Sequence, residues 1–233
     1  MYKAIIFDLD NTLLNFNLSE QTAMEQAIAS HHLQDGWEWE SFWATFRPIN
    51  FKYWLGRIES NSSIEQVLEH SFIDTFTSLN LDTSLCNPLI ETYWEMFCNR
   101  CDLEPGAEQI LEDLKETYTL AVITNGIGVA QRKRLEAGNL HHYFDALIIS
   151  DEVGYWKPDL QIFQTALQQL SLNTDEVLFV GDSLNDDYLG AVNAGIDFCY
   201  YNRSGADLEP HHKPKYMVKQ LGEIVGYLQK MHA

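Results

Sequence analysis

Asp8 and Asp10 stand two residues apart, directly after the short apolar run Lys3-Ala4-Ile5-Ile6-Phe7. Such a run, bounded by turn-forming residues, predicts a buried strand. Residues two apart on an extended chain share a face. Two carboxylates held close together repel unless a cation or a proton lies between them. A hard divalent cation such as Mg2+, which prefers carboxylate and carbonyl oxygens, meets that need. An Asx turn ending the strand would account for one of the acids and leave the other unexplained.

Three further groups stand in similar places. Thr124-Asn125-Gly126 follows the apolar run 119–124 and supplies a hydroxyl and free backbone N–H groups, which suit phosphate oxygens. An ordinary helix N-cap is the plainer alternative. Lys157-Pro158 reads as the opening of a helix, with proline at the first helical position and the lysine set against the helix dipole. Gly181-Asp182-Ser183 follows the apolar run 176–180, and Asp186-Asp187 comes shortly after. Asp182 is expected to face the same mouth as Asp8. An acidic helix start would explain Asp186 or Asp187 but does not require Asp182.

These residues need a frame that brings strand ends together. Strands are predicted at 119–124, 146–149, 176–180 and 198–201, with a short edge strand at 215–218. Helices are expected from about Val129 to a stop at Gly138, and near Gly195. A further helix should open at Pro158 with Leu160, Phe163, Leu167 and Leu170 on one face, and the last should run from about Leu221 to Met231. Alternating strand and helix implies an α/β fold, a Rossmann-like parallel sheet with ligands at the carboxyl ends of its strands. Between about 16 and 99 only helical periodicity is found, rich in aromatics and holding Trp37, Trp39, Trp43, Trp54 and Trp94. We therefore expect a core domain of residues 1–15 and 100–233 with a helical cap, 16–99, inserted in it. The cap aromatics are read mainly as core packing.

The formal net charge of -19, from 15 Lys and Arg against 34 Asp and Glu, repels nucleic-acid polymers and anionic membranes. No apolar stretch approaches the roughly 20 residues of a membrane span. Only four apolar residues follow Lys3 before Asp8, unlike a signal peptide. Cys86, Cys98, Cys101 and Cys199 are too scattered for a disulfide scaffold. These traits read as a cytoplasmic protein, and a small phosphorylated metabolite could still bind where a local cluster of donors and metal overrides the global charge.

In order, D-x-D-x-T, T-N-G, K-P and G-D-S-x-x-x-D at successive strand ends resemble the haloacid dehalogenase superfamily of phosphohydrolases, over the whole chain. The resemblance implies roles. Asp8 would be the nucleophile that takes the phosphoryl group. Asp10 would be the general acid and then the general base, with its backbone carbonyl touching Mg2+. Thr12 would brace the turn that aims Asp10. Thr124 and the Asn125 N–H would bind phosphate oxygens, and Lys157 would neutralise charge. Asp8, Asp10 and Asp182 would hold the metal, with Asp187 acting on it through water and Asp186 left as a cap residue.

Ile49-Asn50, Trp54, Gln131, Arg134-Leu135, Tyr143-Phe144-Asp145, Glu152-Val153-Gly154, Ala194-Gly195-Ile196 and Tyr201-Asn202 are similar to the branch with a C1 cap. That branch includes pyrimidine 5'-nucleotidases and N-acylneuraminate-9-phosphatases. It implies Mg2+-dependent hydrolysis of a nucleoside 5'-monophosphate. A sugar- or acylneuraminate-phosphate phosphatase is the alternative within enzymes. A catalytically silent, receiver-like Mg2+ and phosphate-binding module is the alternative outside them, and the presence of Asp10 argues against it.

Overall fold

The computed structural model describes residues 1–33 and 38–230, so Trp37 and Met231 lie outside the described residues. The chain opens with β1 (Ala4–Phe7) and continues through α1 (Phe16–Ser30), α2 (Trp39–Ser60), α3 (Ile64–Ser78) and α4 (Cys86–Cys98). It proceeds through α5 (Ala107–Leu114), β2 (Thr119–Thr124), α6 (Gly128–Ala137), β3 (Ala146–Ile149), α7 (Ser150–Val153) and α8 (Leu160–Leu170). It ends with β4 (Val177–Gly181), α9 (Leu189–Ala194), β5 (Asp197–Tyr201), β6 (Tyr216–Val218) and α10 (Glu223–Lys230). Among the described residues no strand falls between α1 and α4.

Among the described residues the sheet has six strands in the order β3-β2-β1-β4-β5-β6, each pair parallel. Every residue of β1 and β4 is buried, as expected for strands covered on both faces. Alternate side chains sort to the two faces. Ile5, Phe7, Val122 and Val180 join Ile110 and Leu114 of α5 and Ile224 and Leu228 of α10. Ala4, Ile6, Ile123 and Phe179 join Ile162, Phe163 and Ala166 of α8 and Ala191 of α9. In register, Phe7 stands between Val122 and Val180. The chain therefore leaves β1, β2 and β4 at nearly one level, and their carboxyl ends form one ledge.

Two compact units result, Met1–Ser19 with Cys101–Ala233 and Glu20–Arg100. The division falls inside α1 because its first turn is tied to the sheet-bearing unit. Asn15 N–H donates to the Asp102 carbonyl at 2.8 Å, and Ser19 Oγ donates to the Asp102 carboxylate at 2.9 Å. Cys98 closes α4, while Cys101 belongs to the sheet-bearing unit.

The helical unit packs around its own rings. Phe42, Phe46, Phe72 and Phe76 are fully buried. Phe46 lies edge-on to Phe72 at 5.0 Å and to Tyr93 at 6.3 Å, a geometry favoured by the ring quadrupole. Ser63 and Gln66 form a capping box that starts α3.

One element starts later than its sequence suggests. α8 begins at Leu160, because Asp159 caps it by accepting from Gln161 N–H at 2.8 Å, and Pro158 sits in the turn before. Leu160 is consequently exposed, and the inward stripe is Ile162, Phe163 and Ala166, with Leu167 and Leu170 beside it.

Candidate active site

Where β1 ends, the backbone turns sharply. Leu13 and Leu14 N–H both donate to the Leu9 carbonyl, at 2.9 and 2.8 Å, and Asn11 adopts a left-handed φ of 63°. Asp8 remains on the strand line, its N–H on the Val180 carbonyl at 2.8 Å. Asp10 is already in the turn, so period-two alternation no longer applies and the two carboxylates part. The same turn carries Thr12 back to Asp8, where its hydroxyl donates to Oδ2 at 3.0 Å. Thr12 therefore braces Asp8 itself rather than the turn that aims Asp10.

The ledge gathers three acids. One carboxylate oxygen each from Asp8, Asp182 and Asp187 lies within 4.8 Å of the others. The expected metal group was Asp8, Asp182 and the Asp10 backbone carbonyl, with Asp187 acting through water; here the Asp187 carboxylate itself joins Asp8 and Asp182, and the Asp10 carboxylate is held elsewhere. Asp187 comes from the turn after β4, where its carboxylate accepts from Ser183 N–H at 3.0 Å. Gly181 makes room, since a Cβ there would overlap the Asp187 carboxylate. Asp186 points to local work, with its own N–H on Ser183 Oγ at 3.1 Å.

Lys157 is the cation of this group. Its buried Nζ lies 2.6 Å from both Asp8 Oδ1 and Asp187 Oδ1. Because α8 starts only at Leu160, the lysine is not set against a helix dipole. It is placed instead by its backbone, which pairs with the Asn125 side chain. Lys157 N–H donates to Asn125 Oδ1 at 2.7 Å, and Asn125 Nδ2 donates to the Lys157 carbonyl at 2.9 Å. The Asn125 side chain thus locks the lysine loop to the end of β2.

Three carboxylates against one ammonium would, if all were ionised, leave an excess of two negative charges in a buried place. Burial pushes the Asp8 carboxyl well above its usual range; Lys157 opposes this, and the charges of Asp187 and Asp182 add to it. Burial, with the Asp187 charge, raises Asp182 to about 7. Burial by itself would lower the Lys157 ammonium, but Asp187 and Asp8 outweigh it and hold the pKa above the ordinary value. An all-oxygen donor set with two charges in excess fits a divalent hard cation, with Asp8, Asp182 and Asp187 as the residues to hold it.

The Asp10 carboxylate takes a separate set of contacts. Arg134 Nη1 donates to Oδ1 at 2.6 Å, and Gln131 Nε2 donates to Oδ2 at 2.7 Å. Gln131 also donates to Thr124 Oγ1 at 2.9 Å. Sequence similarity marked Gln131 and Arg134 without giving them a task. A signal was present: they lie three apart on α6, whose inward stripe has few large apolar residues to fill it.

The chain matches the haloacid dehalogenase-like hydrolase family over residues 2–195. It is 31% identical to the pyrimidine 5'-nucleotidase YjjG of Escherichia coli (strain K12), covering 97% of each chain. It is 28% identical to the pyrimidine 5'-nucleotidase PynA of Streptococcus pneumoniae, over 98% of this chain and 96% of that one. The solved structure of the HAD-hydrolase YfnB of Bacillus subtilis, bound to magnesium, superposes with a TM-score of 0.82 at 25% identity, over 97% of this chain and 98% of that one. The chain therefore belongs to the haloacid dehalogenase-like hydrolases and is an enzyme of the phosphatase kind.

Proposed function

We propose that the enzyme hydrolyses nucleoside 5'-monophosphates, pyrimidine ones foremost, by way of a phosphoryl group carried on Asp8. The observation behind the mechanism is the juxtaposition of Asp8 with Lys157, Asp182 and Asp187 on one ledge, a short distance along the chain from Asp10. An Asp8 carboxylate oxygen attacks phosphorus, and the departing alkoxide takes a proton from Asp10. Asp10 then takes a proton from water, which attacks phosphorus and releases phosphate with the Asp8 carboxylate restored. Thr124 Oγ–H and the Asn125 N–H donate to phosphate oxygens, and Lys157 offsets their charge. Mg2+ held by Asp8, Asp182 and Asp187, with the Asp10 carbonyl, would supply charge neutralisation for the phosphate.

The leaving-group assignment is supported by the near full-length similarity to two pyrimidine 5'-nucleotidases. The phosphate contacts treat all monoesters alike, so any preference resides in side chains that meet the nucleoside. Four scattered cysteines, three of them buried, suit a reducing cytoplasm. Among the described residues no helix is long and apolar enough to cross a membrane.

A panel of phosphomonoesters assayed with Mg2+ tests the assignment. UMP and dTMP should exceed hexose phosphates in kcat/KM by about 5- to 150-fold, the worth of one productive ring stack. Hexose or acylneuraminate phosphates ranking above UMP and dTMP would remove the nucleotide assignment and leave the phosphatase chemistry standing.

A further inference from the structure

Burying a guanidinium is costly unless it is paired and hydrogen-bonded. Arg134 is 0% exposed and Gln131 2%, yet both point inward from a helix that ordinary packing would line with leucine. Their contacts converge on Asp10, whose two carboxylate oxygens are each held by one of them. The Asp10 side chain keeps 27% of its surface open, so it is gripped from one side only.

The Gln131 amide is fully committed. One Nε2 proton goes to Asp10 and the other to Thr124, while Oε1 accepts from Arg134 Nη1 at 3.0 Å. Turning the amide over would set its oxygen against the Asp10 carboxylate, so a single orientation is enforced. At Thr124 the incoming N–H uses an acceptor site of the hydroxyl and leaves its O–H to donate. Gly126 is part of the arrangement, because a Cβ there would overlap the Gln131 side chain.

We propose that Gln131 and Arg134 are positioning residues: they fix Asp10 for proton transfer and tie it to the phosphate-binding hydroxyl of Thr124 in one hydrogen-bonded frame. This rests on the reading of Asp10 as acid and base. A charge-assisted pair at 2.6 Å together with a neutral amide bond restricts the carboxylate far more than either alone. Misplacing a catalytic group by about 1 Å costs about 10²-fold.

A double-mutant cycle with Asp10→Asn separates this role from general support of the fold. Arg134→Met and Gln131→Met should each lower kcat for an alkyl phosphate by about 10- to 100-fold, with a smaller loss for p-nitrophenyl phosphate, whose leaving group needs little protonation. Arg134→Lys should recover part of the loss. In the Asp10→Asn background Arg134→Met should cost less than about threefold, since no acid remains for it to position, and Gln131→Met should keep only the smaller share that acts through Thr124. Equal losses in both backgrounds, or equal losses for both substrates, would overturn the proposal. If Arg134→Met fails to give a folded protein by circular dichroism, Gln131→Met carries the cycle alone. Full activity in Asp10→Asn itself would overturn the underlying reading instead, a distinct outcome.

Discussion

Asp8 lies buried beside two further carboxylates with one ammonium among them, whereas Asp10, two residues on, is partly open and gripped by a guanidinium and an amide. The first neighbourhood carries an unbalanced charge and invites a cation together with a phosphate. The second is nearly balanced and admits little movement. Under the proposed mechanism one acid forms a covalent bond and the other shuttles a proton, which calls for two carboxylates of different character, and environment rather than residue type makes them differ. The sharp turn on the Leu9 carbonyl accomplishes this by ending strand alternation between the two acids.

The most severe test acts on the first neighbourhood. Asp8→Asn keeps the shape of the side chain and removes the nucleophile, so turnover should fall by about 10⁶-fold, the scale seen when a nucleophile is deleted. The fold should survive, because Lys157 retains Asp187 at 2.6 Å and one like charge leaves the cluster. Substantial phosphatase activity in a folded Asp8→Asn protein would end the assignment of Asp8 as the attacking group.

Next in size is the second neighbourhood. Asp10→Asn should slow both half-reactions by roughly 10²- to 10⁴-fold. With p-nitrophenyl phosphate the first step should suffer less than the second, so a phosphorylated protein should accumulate and be visible by mass spectrometry. A uniform loss across substrates with no such species would leave Asp10 a purely structural part, and the contrast between the two acids would vanish.

How much of this was legible beforehand follows the same contrast. Asp8 and Asp182 were expected together because each directly follows an apolar run, and parallel strands carry their ends to one ledge; Lys157 was marked only by the proline after it, and Asp187 was expected to act through water rather than to stand among the three acids. The turn geometry could not be read. Strand alternation placed the Asp10 carboxylate beside Asp8, and nothing in the motif said that Thr12 would reach back to Asp8. Gln131 and Arg134 were marked only by similarity, because polar residues on a helix ordinarily read as its solvent face, although the lack of large apolar residues to fill the inward stripe of α6 was a sign that they turn inward. Pro158 looked like a helix start until Asp159, the stronger cap, displaced it. The helical segment was legible as helices, and Phe42, Phe46, Phe72 and Phe76 pack as expected, whereas Phe51 is exposed and Trp39, Trp43, Trp54 and Trp94 are only half-buried.

The mildest test distinguishes the neighbourhoods through protons. Asp182, raised to about 7 by burial and by Asp187, holds a proton in the folded protein that the unfolded chain has already lost above its ordinary value of 3.8. Between those two values the folded state binds more protons than the unfolded state. This contribution to the stability of the metal-free protein therefore falls as pH rises through that window. Mg2+ must displace the same proton, and any that burial keeps on Asp8, so its affinity should climb with pH. From the Asp182 proton alone, binding at pH 5.5 should be about 30-fold weaker than at pH 8, and a proton released by Asp8 would steepen the dependence. Calorimetric titration with Mg2+ alone at pH 5.5, 6.5, 7.5 and 8 measures this directly, and the Mg2+-induced rise in Tm should shrink in parallel at low pH. Asp182→Asn should weaken binding at every pH and flatten much of the dependence. Arg134→Met should leave the dependence in place, because Arg134 pairs with Asp10 and lies outside the trio of acids. An affinity that is level from pH 5.5 to 8 would mean that the three acids do not share the cation, and the division between the neighbourhoods would have to be redrawn.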